Sequence, residues 1–206
     1  MKEIIASVES LKIVPVVAIE DVRHADRLAD ALTGGGLPCA EITLRTEAGL
    51  ASIERLRKRD GFLVGAGTVH SVTQAKQVVD SGAQFIVSPG FNPKTVQWCV
   101  ENEVPIFPGI SSPTDLEMAL EFGLEVVKFF PAEALGGIKT LQAFHGPYHT
   151  IRFMPTGGIS ASNIVDYLNL PFVIACGGSW MVKSDLISAG RFDEITQLTR
   201  DAMNLI

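Results

Sequence analysis

The sequence predicts an α/β fold: one (β/α)8 barrel, a TIM barrel, over residues 1–206 as a single domain. Three observations predict it. Eight short apolar, β-rich runs recur with starts roughly 20 to 27 residues apart, which leaves room for one strand, one helix and two turns per unit. Amphipathic helical patterns fill the gaps between the runs. No Pro/Ser-rich linker or shift in composition divides the chain. Strict alternation with short connections implies parallel strands, because parallel neighbours need a helical crossover. An open doubly wound sheet is the alternative. It usually carries a glycine-rich turn after its first strand, where this chain has Ile19, Glu20 and Asp21.

The opening segment MKEIIASVES carries two acids before the apolar run at 13–19 (IVPVVAI). That run is too short to span a bilayer and no small-residue cleavage site follows it, so no targeting or membrane segment is expected. A helix should follow, with Asp21 as its N-cap. Val22, Ala25, Leu28, Ala29 and Leu32 form its apolar stripe, and Gly34 to Gly36 end it. Further strands are expected at 39–44 (CAEITL), 62–67 (FLVGAG), 84–88 (QFIVS) and 105–109 (PIFPG). The last three lie at 125–130 (EVVKFF), 152–156 (RFMPT) and 172–176 (FVIAC).

Composition excludes several classes. Hydrophobic residues make up 47% of the chain and charged residues 19%, so disorder is excluded. A formal net charge of −6 argues against nucleic acid or an anionic membrane as partner, and an anionic ligand must be held by local groups. Cys39, Cys99 and Cys176 are odd in number, scattered and without a C-x-x-C pair. They read as reduced core thiols of a cytoplasmic protein. No metal site is expected. His24, His70, His145 and His149 lack paired ligand spacing, and Pro147 breaks the helix that His145 and His149 would need.

In a barrel, functional groups gather where strands end, and the strand period of two tells which side chains share a face. Glu41, Thr43 and Arg45 share one face, with Ile42 and Leu44 on the other. In VVKFF, Val126, Lys128 and Phe130 share a face, and Lys128 is the only one of eight lysines set in an apolar strand. A structural ion cluster at the barrel mouth is one reading of Glu41, Arg45 and Lys128. Buried charge is costly and not reliably stabilising, so a functional cluster is the other. Gly157 and Gly158 directly follow the seventh run, and Gly177, Gly178 and Ser179 directly follow the eighth. Ordinary turns would explain either pair alone. Together they fall where barrels bind phosphate, since glycine lets backbone N–H groups approach an anion. GAGTV at 65–69 is too short for a dinucleotide fingerprint, so no nicotinamide cofactor is expected.

The motifs EITLRT, GAGTV, SPG, KFFPAE, PTGGI and GGSW, in this order, resemble the 2-keto-3-deoxy-6-phosphogluconate (KDPG) and 4-hydroxy-2-oxoglutarate (KHG) aldolases. These are class I, Schiff-base aldolases of the Entner–Doudoroff pathway. The resemblance runs over essentially the whole chain and implies a lyase that needs no metal or cofactor. It implies that Lys128 forms the Schiff base and Glu41 is the acid/base. Arg45 and Thr68 would hold the pyruvyl carboxylate, with Pro89 and Phe130 as walls around the imine. Thr156 would line the substrate pocket and favour the gluconate substrate over its galactonate epimer. Gly157, Gly158, Gly178 and Ser179 would cradle the phosphate. The partner would be a small phosphorylated keto acid, and the assembly a homotrimer. A galactonate-specific aldolase, an isomerase or synthase barrel, and a non-catalytic sugar-phosphate binder are the competing readings.

Overall fold

The computed structural model describes residues 1–206. Its strands are β1 (Ile13–Val17), β2 (Cys39–Thr43), β3 (Leu63–Gly67), β4 (Ile86–Val87) and β5 (Ile106–Phe107). They continue as β6 (Gly109–Ile110), β7 (Val126–Phe129), β8 (Arg152–Pro155) and β9 (Cys176–Gly178). Helix α1 (Lys2–Leu11) precedes them. The helices α2 (Ala25–Gly34), α3 (Gly49–Leu56), α4 (Val72–Asp80), α5 (Pro93–Glu101) and α6 (Pro113–Glu121) serve the first half of the chain. α7 (Gly137–His145), α8 (Ile164–Leu168), α9 (Ser184–Ser188) and α10 (Phe192–Met203) serve the second.

Every strand pair is parallel, as the alternation requires. Regular pairing gives two sheets, β5-β4-β3-β2-β1-β9 and β6-β7-β8. Their two seams close the ring. At the first, the strand expected at 105–109 is split by Pro108, which has no N–H to donate. The Phe107 carbonyl accepts from Ser88 N at 3.3 Å on one side, and the Pro108 carbonyl accepts from Lys128 N at 2.9 Å on the other. One stretch of chain thus serves both sheets. At the second seam, β8 meets the last run through the Phe153–Val173 and Thr156–Gly177 bridges.

The eighth strand departs from the expected 172–176. Residues 172–175 are buried but make only the Val173 bridge, and the ladder with β1 runs through Cys176, Gly177 and Gly178. An apolar run reports burial, and in this one burial and pairing lie a few residues apart. Gly177 and Gly178 therefore sit inside β9 and not after it. The helix expected after Asp21 also differs at its start. Asp21 accepts from Arg23 N at 2.8 Å and caps a 3₁₀ turn (Val22–His24) that leads into α2.

The period of two sorts the strands into two cores. Ile42, Val127 and Phe129 join the layer between sheet and helices. Val14, Cys39, Phe107, Val126 and Met154 fill the lumen, and Val8 of α1 packs beneath them as the floor. One step further along the same inward rows come Val16, Glu41, Lys128 and Thr156, which line a cavity. The lumen is apolar at its N-terminal end and polar at its C-terminal end, where barrel sites lie. No helix is long and apolar enough to cross a membrane.

Candidate active site

The cavity has a volume of about 280 Å³ and fourteen lining residues. All eleven residues expected at the site are among them. Lys128 on β7 and Glu41 on β2 reach it from different strands. Lys128 is 5% exposed and Glu41 1%, and Nζ lies 3.6 Å from Oε1. Glu41 fits there because its carboxylate lies over Gly67 of β3, where any Cβ would overlap it. The Phe130 ring centroid is 5.1 Å from the Lys128 ammonium, within cation–π range. Glu41 Oε2 and Thr156 Oγ1 are buried without a protein partner. Buried polar atoms rarely stay unpaired, so this pair of oxygens is free to meet hydroxyl groups of a ligand or water.

Arg45 is exposed on the cavity rim. Its Nε donates to Thr43 Oγ1 at 3.2 Å, and the Thr43 hydroxyl donates to the Val17 carbonyl at 2.8 Å. Thr43 is thereby a peg, itself 1% exposed, that aims the guanidinium along the rim. Thr68, on the same cavity wall, has φ +61°. A threonine in that region is unfavourable by roughly 1–3 kcal/mol, and such strain gathers at ligand sites.

The opposite rim is made of backbone. Gly157, Gly158, Ile159 and Ser179 line the cavity, and their N–H groups donate to no backbone carbonyl. Gly157 and Gly158 have φ of +98° and +82°, values that glycine alone adopts freely. The result is a neutral set of donors beside two cations, Arg45 and Lys128, suited to an anion. Pro89 closes the wall at the end of β4.

Three residues around the cavity, Val16, Ile159 and Thr43, were not singled out from the sequence for this role, whereas Gly177 was noted with the glycine pairs. Val16 lies two positions after the lumen residue Val14, a signal that period-two counting carries. Gly177 faces Thr156, and a Cβ there would overlap its hydroxyl. Ile159 follows the glycine pair, and its side chain gave no signal because what it offers the cavity is a backbone N–H that donates to no backbone carbonyl. Thr43 was visible on the inward face, but its bond to Arg45 was not.

The thiols sit elsewhere. Burial pushes Cys176 up, pushes Cys99 up to about 12, and, with the nearby Glu41 charge, pushes Cys39 up. His145 stacks on Phe172 with ring centroids 3.9 Å apart.

The sequence matches the family model described as KDPG and KHG aldolase over residues 4–198. It is 47% identical over 207 residues to the 2-dehydro-3-deoxy-phosphogluconate aldolase of Treponema pallidum, covering 100% of this chain and 99% of that protein. It is 44% identical over 192 residues to the KHG/KDPG aldolase of Escherichia coli K12, covering 93% and 90%. Among solved structures, the Legionella pneumophila KDPG aldolase, with pyruvate captured as a covalent carbinolamine, superposes with a TM-score of 0.93. That match has 37% identity over 96% of this chain and 97% of the other. A full-length sequence match and a near-coincident barrel agree: the chain belongs to the KDPG and KHG aldolase family.

Proposed function

We propose that this protein is a class I aldolase that cleaves 2-dehydro-3-deoxy-6-phosphogluconate to pyruvate and glyceraldehyde 3-phosphate, in the Entner–Doudoroff pathway. The observation that carries the reading is the Lys128–Glu41 pair, an amine and a carboxylate 3.6 Å apart on the buried floor of the cavity. Breaking a C–C bond next to a ketone needs a place for the electron pair. The Lys128 amine adds to the C2 carbonyl, loses water and leaves a protonated imine as that sink. Glu41, directly or through a water, takes the C4 hydroxyl proton as C3–C4 breaks. Glyceraldehyde 3-phosphate departs, the enamine takes a proton at C3, and hydrolysis frees pyruvate and the amine.

The remaining residues orient the substrate. Arg45 offers two parallel N–H groups that match the planar α-keto carboxylate, and Thr68 lines the same cavity. Pro89 and Phe130 wall the imine. Thr156 brings an unpartnered hydroxyl to the substrate pocket. Gly157, Gly158, Gly178 and Ser179 hold the phosphate through backbone N–H groups and the serine hydroxyl. Each step uses groups of this chain and no cofactor. We extend the reading to one domain over 1–206, acting as a homotrimer in the cytoplasm.

A second substrate, 4-hydroxy-2-oxoglutarate, is favoured by the shared pyruvyl half and by relatives named KHG/KDPG aldolase. The test is a pyruvate-coupled assay with the gluconate substrate, its galactonate epimer and 4-hydroxy-2-oxoglutarate. Pyruvate release fastest from the gluconate substrate is expected. Release from none of the three, with no borohydride-trapped pyruvyl adduct, would refute the aldolase reading. Release chiefly from the galactonate epimer would reassign the substrate.

A further inference from the structure

The glycine loop after β8 is anchored by its carbonyls. The Thr156 carbonyl accepts from Ala132 N at 2.8 Å and the Gly157 carbonyl from Glu133 N at 3.1 Å. The Gly158 carbonyl accepts from Asn163 Nδ2 at 3.0 Å. In a trans peptide the C=O and the following N–H point in opposite directions. Three carbonyls turned outward therefore aim the N–H groups of Gly157, Gly158 and Ile159 the other way, towards the cavity these residues line.

The turn that holds two of those carbonyls is itself braced. The Tyr167 hydroxyl donates to Glu133 Oε1. Tyr167 is 1% exposed and its ring belongs to the core between sheet and helices, so the hydroxyl is a fixed point. The Glu133 stem lies against Gly158: a Cβ on Gly158 would come within 2.5 Å of Cγ and 2.6 Å of Cβ of Glu133. A Cβ on Gly137 would likewise meet the Tyr167 hydroxyl at 2.7 Å and Glu133 Oε1 at 2.9 Å. Two close glycine approaches surround one hydrogen bond. Burial, then the bond to Glu133, push the Tyr167 phenol up, which keeps it a donor at neutral pH.

We propose that Tyr167 and Glu133 are positioning residues that set the Gly157–Gly158 backbone and thereby the affinity for the substrate's phosphate. This rests on the phosphate role given above to that backbone. Without the tyrosine hydroxyl, Glu133 is released in two respects. Its stem no longer fixes Gly158, and its carboxylate is free to turn over the loop, where negative charge opposes a phosphate dianion. Glu133→Gln keeps an acceptor oxygen for the tyrosine and removes that charge, so it should preserve the bracing.

The experiment measures kcat and KM for the phosphorylated substrate and for 4-hydroxy-2-oxoglutarate, which has no phosphate. The proteins are wild type, Tyr167→Phe, Glu133→Ala and Glu133→Gln. Tyr167→Phe removes one oxygen from an otherwise unchanged ring, and Glu133 is exposed, so all should fold. Expected is a rise of about tenfold in the phosphorylated-substrate KM for Tyr167→Phe and Glu133→Ala, the loss of roughly one well-made hydrogen bond. Their kcat and their KM for 4-hydroxy-2-oxoglutarate should stay within about twofold of wild type, and Glu133→Gln should stay close to wild type throughout. Unchanged KM in the first two variants, or equal losses on both substrates, would overturn the bracing role. If inorganic phosphate fails to compete with the phosphorylated substrate in wild type, the phosphate reading itself falls, and this proposal with it.

Discussion

Glu41 Oε1 stands 3.6 Å from Lys128 Nζ while Glu41 Oε2 has no partner in the protein. One oxygen addresses the amine and the other is buried with no protein group engaging it, so one carboxylate keeps a second oxygen for proton exchange with a bound substrate. Glu41→Gln keeps the shape and removes the base, and should lower kcat by about 10²–10⁴-fold while borohydride with pyruvate still labels the protein. Lys128→Ala should abolish labelling and turnover. Mass spectrometry after borohydride trapping checks both, with a Lys94 variant as control. A pyruvyl adduct on Lys128→Ala would place the imine elsewhere.

Thr43 gives a second test, because its contribution is only orientation. Thr43→Val keeps the volume but removes both the bond from Arg45 and the bond to the Val17 carbonyl. We expect KM to rise about tenfold for every substrate with a pyruvyl carboxylate, phosphorylated or not. Stability should fall by about 1–2 kcal/mol. Steady-state kinetics with two substrates, beside a denaturant melt, separates this from a phosphate-specific effect.

Ser179 should behave in the opposite way. Ser179→Ala removes a hydroxyl from the glycine rim and should raise KM for the phosphorylated substrate several-fold, leaving that for 4-hydroxy-2-oxoglutarate nearly unchanged. Equal changes on the two substrates would contradict a phosphate contact.

The barrel floor offers a test of stability without chemistry. Val8 is fully buried beneath the lumen core, and α1 is further tied by Arg152 Nη1 to Glu9 Oε2 at 2.7 Å. Val8→Ala should cost about 1–3 kcal/mol through lost contacts and a residual cavity. That corresponds to a Tm lower by about 2–12 °C for a chain of this size. kcat at 25 °C should be unaffected, since the cavity lies at the other end of the barrel. Calorimetry and an activity assay on the same sample check both parts.

The thiols give a pH prediction with a definite sign. Reactivity belongs to the thiolate, and burial pushes Cys99 up to about 12 and the other two thiols up as well. At pH 8 the native thiolate fraction of Cys99 is then on the order of 10⁻⁴. A disulfide reagent at pH 8 should leave the native protein unlabelled, and unfolding should release three reactive thiols. Labelling before unfolding would show that one thiol is accessible and ionised.

Residue type and period two were enough to place Glu41 and Lys128 on inward rows, because a strand's side-chain parity is local geometry that the order of residues dictates. The same parity put Ile42 and Phe129 against the helices. Pairing is not local. The split at Pro108, the shift of the last ladder onto Cys176–Gly178, and the closing bridges depend on which strand lies alongside, and a run of apolar residues does not say where its partner begins.

The sequence by itself determined the alternation of strands and helices, the inward rows, and the motifs that mark the family, since each is a pattern of residue types at short range. Only the tertiary structure decided that an amine on β7 meets a carboxylate on β2, that Thr43 aims Arg45, and that Tyr167 on α8 braces Glu133 beneath Gly158. The first and last of those contacts join residues tens of positions apart, and Thr43 is held in place by the Val17 carbonyl on β1, a different strand. Their existence depends on how the strands are brought together in the closed ring, which no local preference encodes.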